Sequence, residues 1–291
     1  MADDLSFLPA GFHIDQMTRA EAGLLDSWAA AEGWNPGLAD IDIAWSHDPG
    51  AFIALRNGTE FAGGGAIVSY QGAAGFMGLF IMRADLRKQG LGRVLWHERL
   101  RRLRSRLRPD APIGMDGVFD MAPFYASGGF KYLYRDLRFQ GRAAGAMDPA
   151  VIPLEQVPWS DLAAYDALIS GLRREAFMRA WLGQTGGRGF ALRENGAICG
   201  YGFLRPCRVG FKLAPLYANN ATAGRRLLAS LLSTVSGEQV QIDVPEPNLA
   251  AVGLMNDLGW DNIFGCARMV HGTPLMVPIE RVFGVTSFEF G

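Results

Sequence analysis

Between Phe80 and Leu100 the chain reads FIMRADLRKQGLGRVLWHERL, and Arg87, Gly90 and Gly92 fall where an apolar strand gives way to an amphipathic helix. Glycines at a helix start let backbone approach a ligand closely. The free N–H groups and the positive helix end then favour an anion such as a pyrophosphate. Two commoner phosphate loops are excluded, because no Gly-Lys-Ser/Thr follows and no G-x-G-x-x-G opens the first strand–helix turn. The metal-ligating residue types are scattered: His13, His47, His97 and His271 share no ligand spacing, and Cys199, Cys207 and Cys266 form no Cys-x-x-Cys pair. That predicts no metal site and no disulfide framework, and a reducing cytoplasm as the setting.

The elements that must position this turn are legible as a repeated pattern. AFIALRNGTEFAGGGAIVSY reads as two strands about an Asn57-Gly58 turn, followed by the apolar strand GFMGLFIM, the helix GLGRVLWHERLRRLRSRL, the strand PIGMDGV and a short helix ending at Gly129-Phe130. The second half repeats this with Asn195-Gly196, VGFKLAPL, TAGRRLLASLLSTV, VQIDV and Gly259-Trp260. Two copies of one α/β unit follow, parted by the small-residue stretch Gly141 to Pro149 into segments 1–143 and 144–291. Thr18 and Glu21 form a capping box that opens a helix through about Ala31, with Leu24, Leu25 and Trp28 at helical spacing. Ser160, ahead of Leu162, Tyr165, Leu168 and Ile169, is expected to do the same in the second copy. Gly63 to Gly65 inside a strand predict a bulge or a close backbone approach. Of the run from Arg99 to Arg108, Leu100, Leu103 and Leu107 take the core face with Leu95, which predicts that the arginines are solvated.

Composition bounds the rest. With 49% hydrophobic and 20% charged residues the 291-residue chain is globular rather than disordered. Its 28 basic and 29 acidic residues give a formal charge of -1, so no general field would hold it on nucleic acid or an anionic membrane. No apolar run approaches the ~18 residues of a membrane span, and MADDLSFLPAG has acids where a signal peptide would carry positive charge. A soluble cytoplasmic protein is expected.

At the glycine turn the sequence resembles the GNAT acetyltransferase superfamily, whose acetyl-coenzyme A signature, Arg/Gln-x-x-Gly-x-Gly/Ala, is matched by Arg87, Gly90 and Gly92. A second family motif, Tyr followed four and five residues later by Gly and Phe, is matched by Tyr125, Gly129 and Phe130 in PFYASGGF. The resemblance covers roughly residues 12 to 140, and WAAAEGWNPG, Trp28 to Gly37, is similar to a subgroup with a second GNAT-like domain. It implies an α/β fold of two tandem GNAT-like domains, each a mixed, mostly antiparallel twisted sheet flanked by helices. It also implies an N-acyltransferase that uses acetyl-CoA as cosubstrate, without metal, on a small-molecule or peptide amine.

By that resemblance Phe80, Ile81 and Met82 contact the acetyl-pantetheine arm. Arg87 and the loop Lys88, Gln89, Gly90, Leu91, Gly92 and Arg93 hold the pyrophosphate, and Tyr125 protonates the leaving thiolate. Amides freed by a bulge near Ile81 and Met82 would polarise the thioester carbonyl. Glu32 is the first choice of base, with Asp116 and Asp120 able to relay a proton through water; Trp34 and Asp116 are expected in the acceptor pocket. Direct transfer needs no cysteine nucleophile, in keeping with three cysteines that all fall in the second half. The second copy is one residue shorter at the loop, keeps only Gly224, and has Met255 where the first has Tyr125, which implies a domain that kept the fold without the chemistry. The rival reading is a catalytically silent acyl-CoA-binding sensor or interaction protein. The acceptor and the oligomeric state stay open.

Overall fold

A computed structural model describes residues 8–291; residues 1–7, which carry most of the N-terminal stretch read above, lie outside the described residues. The first unit runs β1 (Phe12–Gln16), α1 (Arg19–Ala31), α2 (Asp40–His47), β2 (Phe52–Asn57), β3 (Glu60–Tyr70), β4 (Ala74–Met82), α3 (Leu91–Ser105), β5 (Ile113–Val118), α4 (Ala122–Ser127) and β6 (Lys131–Arg142). The second repeats the order as β7 (Val151–Pro153), α5 (Trp159–Ser170), α6 (Glu175–Leu182), β8 (Arg188–Glu194), β9 (Ala197–Pro206), β10 (Phe211–Ala218), α7 (Ala221–Ser233), β11 (Gln239–Pro245), α8 (Leu249–Asp257) and β12 (Asp261–His271), followed by a short β13 (Val282–Gly284).

Local chemistry accounts for the ends of these elements. Thr18 accepts from the Glu21 amide and Glu21 answers on the Thr18 amide, so the capping box starts α1 as expected. Its counterpart α5 starts instead from Pro158 without a side-chain cap, and the Ser160 hydroxyl donates to Asp161. Leu24 and Leu168 are about half exposed, so the apolar stripes of α1 and α5 are narrower than their spacing suggests. Both hairpin turns form where expected, with positive φ at Gly58, Asn195 and Gly196.

All described strands join in one sheet, ordered β1-β2-β3-β4-β5-β12-β6-β11-β10-β9-β8-β7, with β13 on β10. Only the β4–β5 and β10–β11 pairings are parallel. The two units trade their last strands: β12 of the second pairs with β5 of the first, β6 of the first pairs with β11 of the second, and β6 and β12 pair with each other at the centre. The cut at 143/144 is therefore a division of sequence rather than of space.

The core is continuous across that cut. Leu25, Phe52 and Phe76 of the first segment share one apolar cluster with Phe177, Trp181 and Tyr201 of the second. Two fully buried bidentate ion pairs, Arg205 with Asp40 and Arg138 with Asp243, cross between the segments. Removing one partner of such a pair typically costs about 3–5 kcal/mol, because a buried charge is left alone.

Candidate active site

The parallel pair β4–β5 holds only at Gly75–Ile113 and Phe76–Gly114, after which the strands diverge. The gap opens a cavity of about 510 Å³, within the ordinary range for a small-molecule site. Its first wall is the far end of β4, Met77 to Met82. There the register with β3 slips, so that Leu79 and Phe80 stand opposite Gly65 alone. This is a β-bulge, and it leaves a peptide of β4 without its cross-strand partner. Leu79 takes φ +52°, a left-handed conformation that costs a non-glycine residue about 1–3 kcal/mol.

The bulge is held by a residue that sequence reasoning placed in solvent. Arg99 is fully buried, and its Nη2 donates to the carbonyls of Ala66 at 2.6 Å and Gly78 at 2.7 Å, one on each strand beside the slip. Gly65 makes this possible, since a Cβ there would lie 2.3 Å from the Arg99 guanidinium carbon. The glycines singled out in β3 thus serve close approach. Helical periodicity treated every arginine of the run from Arg99 to Arg108 as outward-facing, whereas Arg99 shares the inner face with Leu95 and Leu103.

At the mouth of the cavity, α3 begins at Gly90 with φ +84° and no side-chain cap, and Lys88 also has positive φ at +63°. Such alternation gathers N–H groups into an anion-binding concavity. A Cβ on Gly90 would meet nothing within 4 Å, and one on Gly92 would press on Met82 and Phe80 at 3.3 and 3.5 Å. Arg87, Lys88, Gly90, Gly92 and Arg93 line the cavity. Leu91 is buried beneath the loop, and the Gln89 side chain turns away onto the Asp85 carbonyl. The uncapped helix start, the open loop and the parted strands leave room for an anionic group at the loop and an extended arm along β4.

Tyr125 lines the opposite wall from α4, its ring over Gly117, where a Cβ would lie 2.4 Å from it. Its hydroxyl has no hydrogen-bond partner among the described residues, and burial pushes its pKa up to about 12, with Arg99 opposing the shift. The phenol therefore stays protonated at working pH, as a proton donor must.

The remaining wall comes from distant sequence. Trp34 sits on the loop after α1, its carbonyl accepting from Arg138 Nη1 at 2.7 Å and Lys212 Nζ at 3.3 Å. Phe264 and Phe288 flank the Arg138 guanidinium at 5.4 and 5.1 Å. Exchanged strand β12 brings Cys266, a residue of the second half, into the lining. Burial, and then Asp116, hold its thiol well above its ordinary pKa, so it stays a neutral thiol.

The three expected carboxylates are separated. Glu32 lies at the mouth, half-exposed and ion-paired with Arg87, which also donates to the Met82 carbonyl at 3.0 Å. Asp116 is at the inner end, its side chain buried, accepting from Arg268 Nε at 2.7 Å. Arg268 also reaches Asp136 at 3.3 Å, and burial raises both acids, Asp116 strongly. Asp120 is exposed in the turn before α4 and lies outside the lining. Among the described residues no group of three or more His, Cys, Asp or Glu is arranged to hold a metal, and no helix is long and apolar enough to cross a membrane.

The second unit differs at each corresponding point. Helix α7 is capped by Asn220, which accepts from the Ala223 amide at 3.0 Å. Strand β13 pairs with β10 at Leu216 and Tyr217, and Val285 N–H donates to the Asp243 carbonyl of β11, so the chain's own strand fills the gap between them. Phe283 packs on Gly224 at the α7 start, and Met255 is buried in place of a tyrosine.

Comparison with known proteins agrees with this geometry. Residues 162–284 match the family described as acetyltransferase (GNAT) domain. That match lies wholly in the second unit and covers less than half of the chain. The chain is 26% identical over 271 residues to holothin acyltransferase of Pseudoalteromonas sp. (strain SANK 73390), covering 92% of the chain and 90% of the relative. A Pyrococcus horikoshii protein described as an acetyltransferase superposes with a TM-score of 0.81 at 19% identity, over 98% of each chain. A tandem GNAT protein from the clavulanic acid biosynthesis pathway superposes at 0.63 with 14% identity, over 90% of this chain and 99% of that one. The family match falls on the unit with the weaker motifs, and the matched structures carry the tandem fold across both.

Proposed function

We propose that the protein is an acetyl-CoA-dependent N-acyltransferase that moves an acetyl group directly to a small-molecule or peptide amine, using one site in the first unit. The observation that carries this is the parted β4–β5 pair, with a bulge on one side, an uncapped helix start at the mouth and a protonated tyrosine opposite. The name of the relative, an acyltransferase similar over most of both chains, supports it.

The amides of Lys88 through Arg93, with the charge of Arg87, bind pyrophosphate, and the edge of Phe80, Ile81 and Met82 takes the pantetheine arm. When bound, the thioester supplies an activated acyl carbon. The bulge presents N–H toward its oxygen, where an aligned donor is worth about 3–4 kcal/mol in acyl transfer. Tyr125 donates to sulfur as it leaves, and Arg99 beside it steadies the charge left on the phenol oxygen. Trp34 and Asp116 bound the space for the acceptor, and Glu32 at the mouth passes protons to solvent. The second unit, closed by β13, supports the first and takes no acyl-CoA.

Tyr125→Phe tests the reading. With acetyl-CoA and primary amines, thiol release by the variant falls about 100-fold or more while affinity for acetyl-CoA is kept. Unchanged turnover would remove Tyr125 from the chemistry, and a wild type that binds without releasing thiol would leave a silent binder.

A further inference from the structure

The C-terminal tail joins the two clefts. After β13 closes the second, the chain crosses to the first and is fastened along its length. Tyr70 Oη donates to the Phe290 carbonyl at 2.5 Å, and Arg174 Nη1 to Gly291 O at 2.9 Å. Between these anchors and β13 lies Glu289, on the wall of the acyl-transfer cavity. Its carbonyl oxygen occupies the place a Gly78 Cβ would need, only 1.9 Å away, so the tail rests directly on the β4 bulge. Glu289 is 7% exposed; Ser287 Oγ donates to its Oε2 at 2.7 Å, while Oε1 has no hydrogen-bond partner and the carboxylate no ion pair among the described residues.

We propose that Glu289 is the proton acceptor for the attacking amine, delivered to the bulge by the tail. This rests on the acyltransferase reading. As the amine nitrogen bonds to the acyl carbon and the carbon–sulfur bond breaks, Glu289 takes the proton from nitrogen and sulfur takes the proton of Tyr125. The products are amide and thiol; the carboxylic acid and the phenolate left behind reset through solvent with no net proton change. The other acids of the cavity are engaged, Glu32 by Arg87 at the mouth and Asp116 by Arg268 at the inner end. Charged or titratable groups face Glu289 from five elements: Asp26 of α1, Arg138 of β6, Arg205 of β9, Lys212 of β10 and Cys266 of β12. A pH profile is therefore assigned to Glu289 only where its substitution removes a limb.

The experiment measures thiol release from acetyl-CoA with benzylamine and with aniline across pH, beside calorimetric affinity for acetyl-CoA. Glu289→Gln keeps the shape and the Ser287 contact; the expected result is unchanged affinity, kcat lowered about 100-fold or more, and loss of the acidic limb. Glu289→Asp, which keeps the charge but draws the carboxylate back from the cavity, should lower kcat with acetyl-CoA affinity kept, and it decides the matter should the first variant fail to fold. A Glu289→Gln enzyme with wild-type kcat and limb, or one that loses acetyl-CoA affinity in step with activity, would overturn the assignment while the transferase reading stands. A wild type that binds acetyl-CoA yet releases no thiol with either amine would overturn both.

Discussion

Arg99 and Tyr125 frame the cleft, one setting the bulge and the other facing it. Arg99→Met would strand the Ala66 and Gly78 carbonyls and remove a buried cation. A loss of about 3–6 kcal/mol follows from two hydrogen bonds to a charged group at ~1.5–3 kcal/mol each. The expected outcome is a lower melting temperature with acetyl-CoA affinity falling together; affinity that survives would show that the bulge holds without Arg99. The Asp116–Asp136 pair makes a prediction of opposite sign to an ordinary surface acid. Burial lifts Asp136 from its unfolded value near ~4 to about 6 in the fold, so the native state binds the proton more tightly. Its contribution is therefore fully present below about pH 4 and is lost as pH rises through about 6, on the order of 2–3 kcal/mol. Thermal unfolding from pH 4 to 8 should show the wild type losing stability relative to Asp136→Asn over that window; a difference that does not change with pH would contradict the shared burial. At this scale the sequence showed Gly90, Gly92 and Tyr125, because each belongs to a local motif. Arg99 was hidden by its charge, and Glu289 by the absence of any local pattern around it.

Strand β13 gives the second unit its character. Its Phe283 lies over Gly224 where the first unit keeps an open loop, and Asn220 spends a helix-start amide that the first unit leaves uncapped. Phe283→Ala should cost about 3–5 kcal/mol, as truncation of a buried aromatic does, because the ring is buried against the start of α7. Thermal melting checks this, and a shift under about 1 kcal/mol would mean that the strand is only lightly seated. Hairpins and long helices were legible here because Asn-Gly turns and apolar periodicity are local signals. Helices α2 and α6 and strand β13 were not, being short segments whose structure is set by the neighbours they pack on.

Over the whole molecule, the repeat was legible but its interlocking was not, since a strand that pairs with the other unit looks in sequence like one that pairs at home. The exchange of β6 and β12 means that segments 1–143 and 144–291 each lack an edge supplied by the other. Expressed separately, each should fail to give a cooperative melt, and co-expressed they should associate and regain it; two independently stable fragments would refute the interlock. The exchange also explains why Cys266 and Phe264, both from the second segment, wall a cavity whose loop and tyrosine come from the first. The most direct test of one working site in a tandem fold is calorimetric titration with acetyl-CoA of the wild type and of a Gly90→Glu, Gly92→Glu variant. The account predicts saturation near one equivalent, abolished in the variant; binding of two equivalents, or binding that survives the substitutions, would contradict it.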